Sequence, residues 1–397
     1  MFAFVFTSLK MTFLQNKINN MNPKLKEVAS VFFKMGLIAF GGPAAHIAMM
    51  EQEIVEKRKW LTPEHFLDLI GATNLIPGPN STEMTMHCGH ERAGFAGLVV
   101  AGMAFIFPAV VITGVLAWLY VTYGTLPQVE QFTYGIKPAV VAIIAAAVYK
   151  LGKKALKSVE LGILGALTIT VGFLGVNEVN ALLGAGILGA IYFYFKTKTI
   201  DLKANKKALT PLLILKTSAL AATQMSALKV FWIFLKVGAI LYGSGYVLFA
   251  FLDGELVATG LLTRQELMDA IAVGQFTPGP VLSTATFIGY QLFGFWGAIA
   301  ATVGIFLPSF IFVLILNPII PKLRKSRFLS AFLDAVNIAA VAIMLKVLVE
   351  MGMESVTDWK SAVILLLSFV FTFALKKSNA MVTVLMGSIA GWLLMMV

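Results

Sequence analysis

One cysteine, Cys88, and four histidines are all the thiol and imidazole metal ligands that 397 residues contain. A single thiol forms no intrachain disulfide and no cysteine metal cluster. The histidines, His46, His65, His87 and His90, fall in no H-E-x-x-H or related spacing, so the sequence presents no metal ligand set. Charge is scarce as well: Asp, Glu, Lys and Arg make up 13% of the chain, about half the share of a soluble protein. The N-terminus has a short apolar stretch but no charged start and no small-residue cleavage site, and no signal peptide is read there.

Apolar side chains take the place of charge. They make up 58% of the residues, with 31 Phe and 18 Met, which excludes both a water-soluble domain and a disordered chain. They come in blocks of about 20 residues, enough to cross a bilayer, so the expected class is an all-α polytopic membrane protein. The net charge of +11 would suggest nucleic acid in a soluble protein; here it marks cytoplasmic loops, and no nucleic-acid partner is expected. The lipid bilayer is the first partner.

Six apolar segments lie between 28 and 196 and six more between 229 and 397, with an N-terminal tail at 1–27 and a Lys-rich stretch at 197–228 that reads as a cytoplasmic linker. The two sets match. Lys34-Met35-Gly36 precedes Lys236-Val237-Gly238 by 202 positions, Pro77-Gly78-Pro79 precedes Pro278-Gly279-Pro280 by 201, and Gly94-Phe95-Ala96-Gly97 precedes Gly294-Phe295-Trp296-Gly297 by 200. So small a drift over so many matches is an internal duplication.

Loop charge orients the halves. Residues 51–65 carry Lys57, Arg58 and Lys59, while their counterpart at 253–266 has Arg264 beside Asp253 and Glu255. Residues 150–158 carry four lysines, while 350–358 carry Glu350, Glu354 and Asp358. By the positive-inside rule the repeats have inverted topology, as in many secondary transporters. Inversion needs an odd number of crossings per half, and each half has six segments. One segment per half is therefore expected to be re-entrant, best the second, which a Pro-Gly-Pro interrupts; about ten transmembrane helices plus two re-entrant hairpins result. The basic residues Lys10, Lys17, Lys24 and Lys26 resist that count, because it puts the N-terminus outside, unless the first segment is re-entrant too.

Four interruptions at matched positions point to one central site, since broken helices persist in a bilayer only where protein or water satisfies the freed backbone. They are Gly41-Gly42-Pro43, Pro77-Gly78-Pro79, Gly243-Ser244-Gly245 and Pro278-Gly279-Pro280. A half-helix starting at such a break favours an anion. Ser81, Thr82, Ser283 and Thr284 follow the Pro-Gly-Pro triplets and could donate to an oxyanion or cap the helix. Lys34 and Lys236 are matched cations within apolar stretches: either they attract the anion or they snorkel to an interface. Glu83 matches Thr284 and is an unpaired carboxylate between the halves, a proton carrier or else a cap or ion-pair partner. His46 could sense protons, contact substrate or simply pack. Asp68 and Asp269 read as helix N-terminal caps.

With Phe40-Gly41-Gly42-Pro43, Ala45-His46, the two Pro-Gly-Pro triplets and Gly-Phe-x-Gly ahead of Pro108 and Pro308, the sequence resembles the chromate ion transporter family in its long, two-half form, over about residues 28–397. Tyr242-Gly243-Ser244-Gly245 departs from the Phe-Gly-Gly-Gly expected there. The resemblance implies export of chromate across the inner membrane, with sulfate as a structural analogue, and chromate resistance. The residues alone read as an inverted-repeat carrier of a small anion, with a coupling ion and a homodimer left open. A carrier of sulfate or another small anion, and a passive anion channel, are the alternatives. No nucleophile–base pair or cofactor motif supports an enzyme, and no cofactor is expected.

Overall fold

The computed structural model describes residues 22–40, 42–73, 76–124, 134–176, 178–198, 225–242, 247–316, 327–374 and 380–395. Fourteen α-helices form among the described residues. The first half holds α1 (Pro23–Ile38), α2 (Gly42–Met50, continued by a π-helical turn at Glu51–Lys57), α3 (Pro63–Thr73), α4 (Asn80–Tyr123), α5 (Ile136–Ala155), α6 (Val159–Phe173) and α7 (Glu178–Lys198). The second half repeats the pattern with α8 (Ala227–Ile240), α9 (Val247–Leu252, with a π-helical turn at Asp253–Val257), α10 (Arg264–Phe276), α11 (Thr284–Leu316), α12 (Arg327–Ser355), α13 (Trp359–Ala374) and α14 (Ala380–Met395).

Both early segments of the first half fold back on themselves. Arg58, just past the π turn after α2, donates to Glu27 at the start of α1 at 2.8 Å, and Trp60 meets Phe32 edge to face. The interruption at Ala39–Gly42 therefore lies at the tip of a helical hairpin. The next excursion returns in the same way, because His65 in the first turn of α3 lies 3.3 Å from Glu91 in α4, and Arg92 bonds Glu27 at 2.7 Å. The second segment is thus re-entrant, and so is the first, the alternative left open by the basic N-terminal residues; four segments of each half then cross rather than five, and the chain changes sides between Lys198 and Ala227.

α4 consists of two limbs. Ala93 and Gly94 leave helical geometry, with Gly94 at φ 64° and ψ −152°, and Phe293 and Gly294 repeat this in α11 with Gly294 at φ 57° and ψ −150°. That region is essentially glycine-only, which explains the first glycine of each Gly-Phe-x-Gly. The second explains the packing: Gly97 lies against Gly89, and Gly297 against Gly289, so closely that a methyl group on either would strike the other's backbone. Short limbs at 80–92 and 284–292 return from the breaks, and the long limbs then run across the molecule.

Side-chain contacts fix the direction of each run. Tyr120, near the far end of α4, donates to Asp269 in α10 at 2.6 Å. The far end of the first half therefore adjoins the end from which the second-half hairpins enter. Lys157, before α6, bonds Asp334 near the start of α12 at 2.6 Å, and Tyr134, before α5, pairs with Asp358, before α13. The repeats are inverted. Arg58, Lys59, Arg92, Lys150, Lys153, Lys154 and Lys157 share one end, which the positive-inside rule makes cytoplasmic, and Asp253, Glu255, Glu350, Glu354 and Asp358 share the other. The linker reading falls mainly on 199–224, outside the described residues.

Two buried clusters carry the core. Val28, Phe32, Met35, Ile54, Phe66, Met84 and Phe105 pack the first-half hairpins together. A larger cluster joins α5 and α7 to the whole second half. Around them Phe95, Trp118, Leu174, Leu188, Trp232, Phe295, Trp296, Trp359 and Leu366 are exposed. An apolar surface of that extent is a lipid-facing belt. The long limbs of α4 and α11 and most of α12 are apolar and long enough to cross a bilayer. This is a membrane protein.

Candidate functional site

The interrupted helices of the two halves meet one another. α1 ends at Ala39 and α8 at Leu241, each in extended geometry that turns its carbonyl out of the helix. The Gly78 amide, in the first Pro-Gly-Pro, donates to the Leu241 carbonyl at 2.6 Å. The Gly279 amide, in the second, donates to the Ala39 carbonyl at 2.9 Å. Each Pro-Gly-Pro thus satisfies a carbonyl that the other half leaves open, and the four breaks form one cross-paired centre. Burial gives these bonds weight, since an unmet backbone group away from water loses about 1–3 kcal/mol.

The surrounding helices are packed to allow that approach. A Cβ on Gly36 would strike the Phe105 carbonyl, and one on Gly238 the Ile305 carbonyl, so α1 lies backbone to backbone on α4, as α8 does on α11. The residue after each helix-interior proline, Ala109 and Ser309, packs on the Pro-Gly-Pro glycine of the opposite half. A Cβ on Gly279 would lie 2.9 Å from Ala109 Cβ, and one on Gly78 would lie 2.5 Å from Ser309 Oγ.

His46 belongs to this crossing. Its Nε2 lies 3.1 Å from the Ala39 oxygen that Gly279 also bonds. A carbonyl only accepts, so the ring carries its proton on Nε2 and presents a bare Nδ1, which is buried with no partner among the described residues. Phe105 meets the ring edge to face.

The hydroxyls divide between the two crossings. Ser283 accepts from Thr113 Oγ1 at 3.2 Å and lies 3.4 Å from Thr277 Oγ1, a buried chain that joins α4 to the second Pro-Gly-Pro. Thr284 donates to the Val281 carbonyl, and its side chain fills the space beside Gly274. At the first crossing Ser81 and Thr82 are buried, Thr82 Oγ1 without a partner among the described residues, and the Thr82 and Glu83 amides turn back onto the Pro79 carbonyl. Glu83 is fully buried, and neither of its carboxylate oxygens has a hydrogen-bonding partner among the described residues. No ion pair forms to it there, which removes the ion-pair reading, and α4 starts on Pro79 without a side-chain cap, which removes the capping one.

The two lysines stand apart from the breaks. Lys34 is exposed on the side of α1 that carries Phe33, Leu37 and Ile38, and lines a shallow outer groove with Ala104. Lys236 pairs with Glu255. It is the glycine of each Lys-x-Gly, Gly36 or Gly238, that packs inward. Asp269 does not cap α10, whose first turn is held by the Thr263–Glu266 capping box; it accepts from Tyr120 instead. The Asp68 side chain and residues Gly41, Gly243, Ser244 and Gly245 lie outside the described residues, while Gly42 opens α2. Sequence reasoning passed over Ser309, the residue matched to Ala109. It also passed over a charged network at the acidic end, in which Lys346 bonds Glu178 of the first half at 3.0 Å and Arg264 holds Asp253 at 2.8 Å, Glu354 at 2.6 Å and Glu350 at 3.2 Å.

The family model described as "Chromate transporter" matches this chain twice, over residues 26–190 and 228–392. A "Probable chromate transport protein" of Synechococcus elongatus is 30% identical over 374 residues, which cover 92% of this chain and 95% of the relative. A "Chromate transport protein" of Cupriavidus metallidurans is 31% identical over 358 residues, 89% of each. A Bacillus subtilis protein described as "Uncharacterized transporter YwrB" is 25% identical over 197 residues, 48% of this chain and 98% of its own length. No solved structure matches the chain.

Proposed function

The chain belongs to the chromate transporter family, and on that premise we propose that it is a secondary transporter exporting chromate across the cytoplasmic membrane and so conferring chromate resistance. The observation that carries this reading is the cross-pairing of Gly78 with Leu241 and of Gly279 with Ala39, which gathers the broken helices of two inverted halves at one place. Helix N-termini there, with the Ser283, Thr284, Ser81 and Thr82 hydroxyls, form the oxyanion site. The glycines at 41, 42, 243 and 245 and Ser244 complete it. Alternating access is a rocking of one half against the other about the crossings.

Direction follows from charge. Moving a dianion out of a cell that is negative inside gains about 4.6 kcal/mol per 100 mV, twice the 2.3 for one charge. Export of chromate is downhill in potential, and import is not.

The test uses proteoliposomes loaded with labelled chromate under a potential of either sign, with and without external chromate or excess sulfate. The expected result is efflux that follows the potential, falls with internal sulfate and speeds up with external chromate. Efflux without that trans-stimulation is the behaviour of a channel. No efflux under any gradient overturns the proposal.

A further inference from the structure

The two crossings are related by the repeat but differ in chemistry. Gly279 packs on Ala109, and Thr284, at the position matched to Glu83, packs on Gly274; around Gly78 stand Ser309 and Glu83. With Ser283 beside the second Pro-Gly-Pro, the duplication carries hydroxyls at both crossings and a carboxyl at one. We propose that Glu83 is a proton-binding site of the transport cycle, loaded when the oxyanion occupies the neighbouring crossing and emptied when the anion leaves.

Geometry supports this in three ways. The Glu83 carboxyl lies directly against Gly78, so closely that a methyl group there would overlap it, which puts the acid one residue contact from the Gly78–Leu241 bond between the halves. Neither carboxylate oxygen is bonded among the described residues, and the adjacent Ser309 hydroxyl is likewise buried without a partner. Among the described residues, no lysine or arginine faces Glu83. α11 brings Ser309, the second-half break brings Tyr242 within electrostatic range, and His87 lies one turn further along α4.

A buried carboxylate with no counter-ion is strongly disfavoured, so a cation must join it. A metal ion needs a shell of several oxygens, and the described residues hold no cluster of three acidic, histidine or cysteine groups. A proton needs one oxygen. Charge then sets the order of events. An ionised Glu83 repels a dianion at the breaks, whereas the neutral acid does not and can donate to Ser309 or to the anion. Proton and anion are therefore bound together and travel together, with a net charge of one unit outward. The proton enters from water on the loading side and leaves to water on the other; no bond other than O–H forms or breaks.

This inference rests on the breaks being the anion site, and two readouts keep the two claims separate. The first is infrared spectroscopy of the full chain in detergent, with Glu83→Gln as reference. A carboxylic C=O stretch that is shifted in D₂O, absent in Glu83→Gln and stronger once chromate is added is expected in the wild type; its absence both with and without chromate overturns the proposal whatever the substrate. Ser309→Ala serves as a second variant, in which the band persists at a shifted frequency. The second readout is proton uptake from weakly buffered solution when chromate is added. The wild type is expected to take up protons on binding, and Glu83→Gln to bind chromate without uptake. Binding without uptake in the wild type overturns the coupling. Absence of chromate binding in both proteins counts against chromate as the substrate, and the infrared band alone then decides for or against the protonation site.

Discussion

The Gly279 amide meets the Ala39 carbonyl at 2.9 Å, a bond between two residues 240 positions apart that belong to opposite halves of an inverted repeat. Its counterpart joins Gly78 to Leu241. Both are backbone bonds, so side-chain substitution reaches them only through fit. This limits which changes can test the site.

His46 gives the most direct access, because it bonds the same Ala39 oxygen. His46→Ala removes that donor and leaves a void beside Phe105, and a loss of about 1–3 kcal/mol in stability is expected. Thermal unfolding in detergent should show His46→Gln between the wild type and Ala. Equal melting of all three would mean that the imidazole does not hold the crossing.

Gly279→Ala should abolish transport while the protein still inserts. The new methyl meets Ala109 Cβ at 2.9 Å, and the backbone stands at φ 87°, where a side chain adds about 1–3 kcal/mol of strain. Adding Ala109→Gly relieves the contact and not the strain, so the double variant is expected to recover part of the transport rate. No recovery would place the effect in the backbone alone.

Lys34→Gln is expected to leave chromate efflux unchanged, since Lys34 lies on the exposed side of α1. Gly36→Leu two residues later should stop it, because the space is filled by the Phe105 carbonyl and Pro108. Efflux lost in Lys34→Gln would return that lysine to the anion path.

At the acidic end, Lys346→Met strands Glu178, whose side chain is 9% exposed, as an unpaired buried charge. Breaking such a pair from one side typically loses about 3–5 kcal/mol. Replacing both, Lys346→Met with Glu178→Gln, should restore most of it. Chemical denaturation of the three variants checks this, and additive losses would argue against a direct pair.

The duplication, its inversion and the breaks were legible in the sequence because each leaves a one-dimensional trace: matched motifs, loop charge and prolines that remove donors. The fold-back of α1 and α2 was legible only as an alternative raised by the basic N-terminal residues, since what fixes it is Arg58 reaching Glu27 across 31 positions. The sequence left the two readings of the lysines open for a simpler reason. In a chain this apolar, the lipid-facing side of α1 (Phe33, Leu37, Ile38) and its inward side (Phe32, Met35) read alike, so periodicity does not tell which way Lys34 points. Ser309 is one serine among many until the repeat sets it against Ala109 and the fold sets both against a glycine of the other half.

The crossed bonds also bear on what the peptide link between the halves contributes. Neither half can close its own break: the first lends its glycine amide to the second and borrows one in return. A peptide link between the halves therefore has only to keep two mutually dependent parts at high effective concentration. Cut there and co-expressed, the two pieces should reassemble into a working transporter, whereas either piece produced alone should leave its central carbonyl unmet.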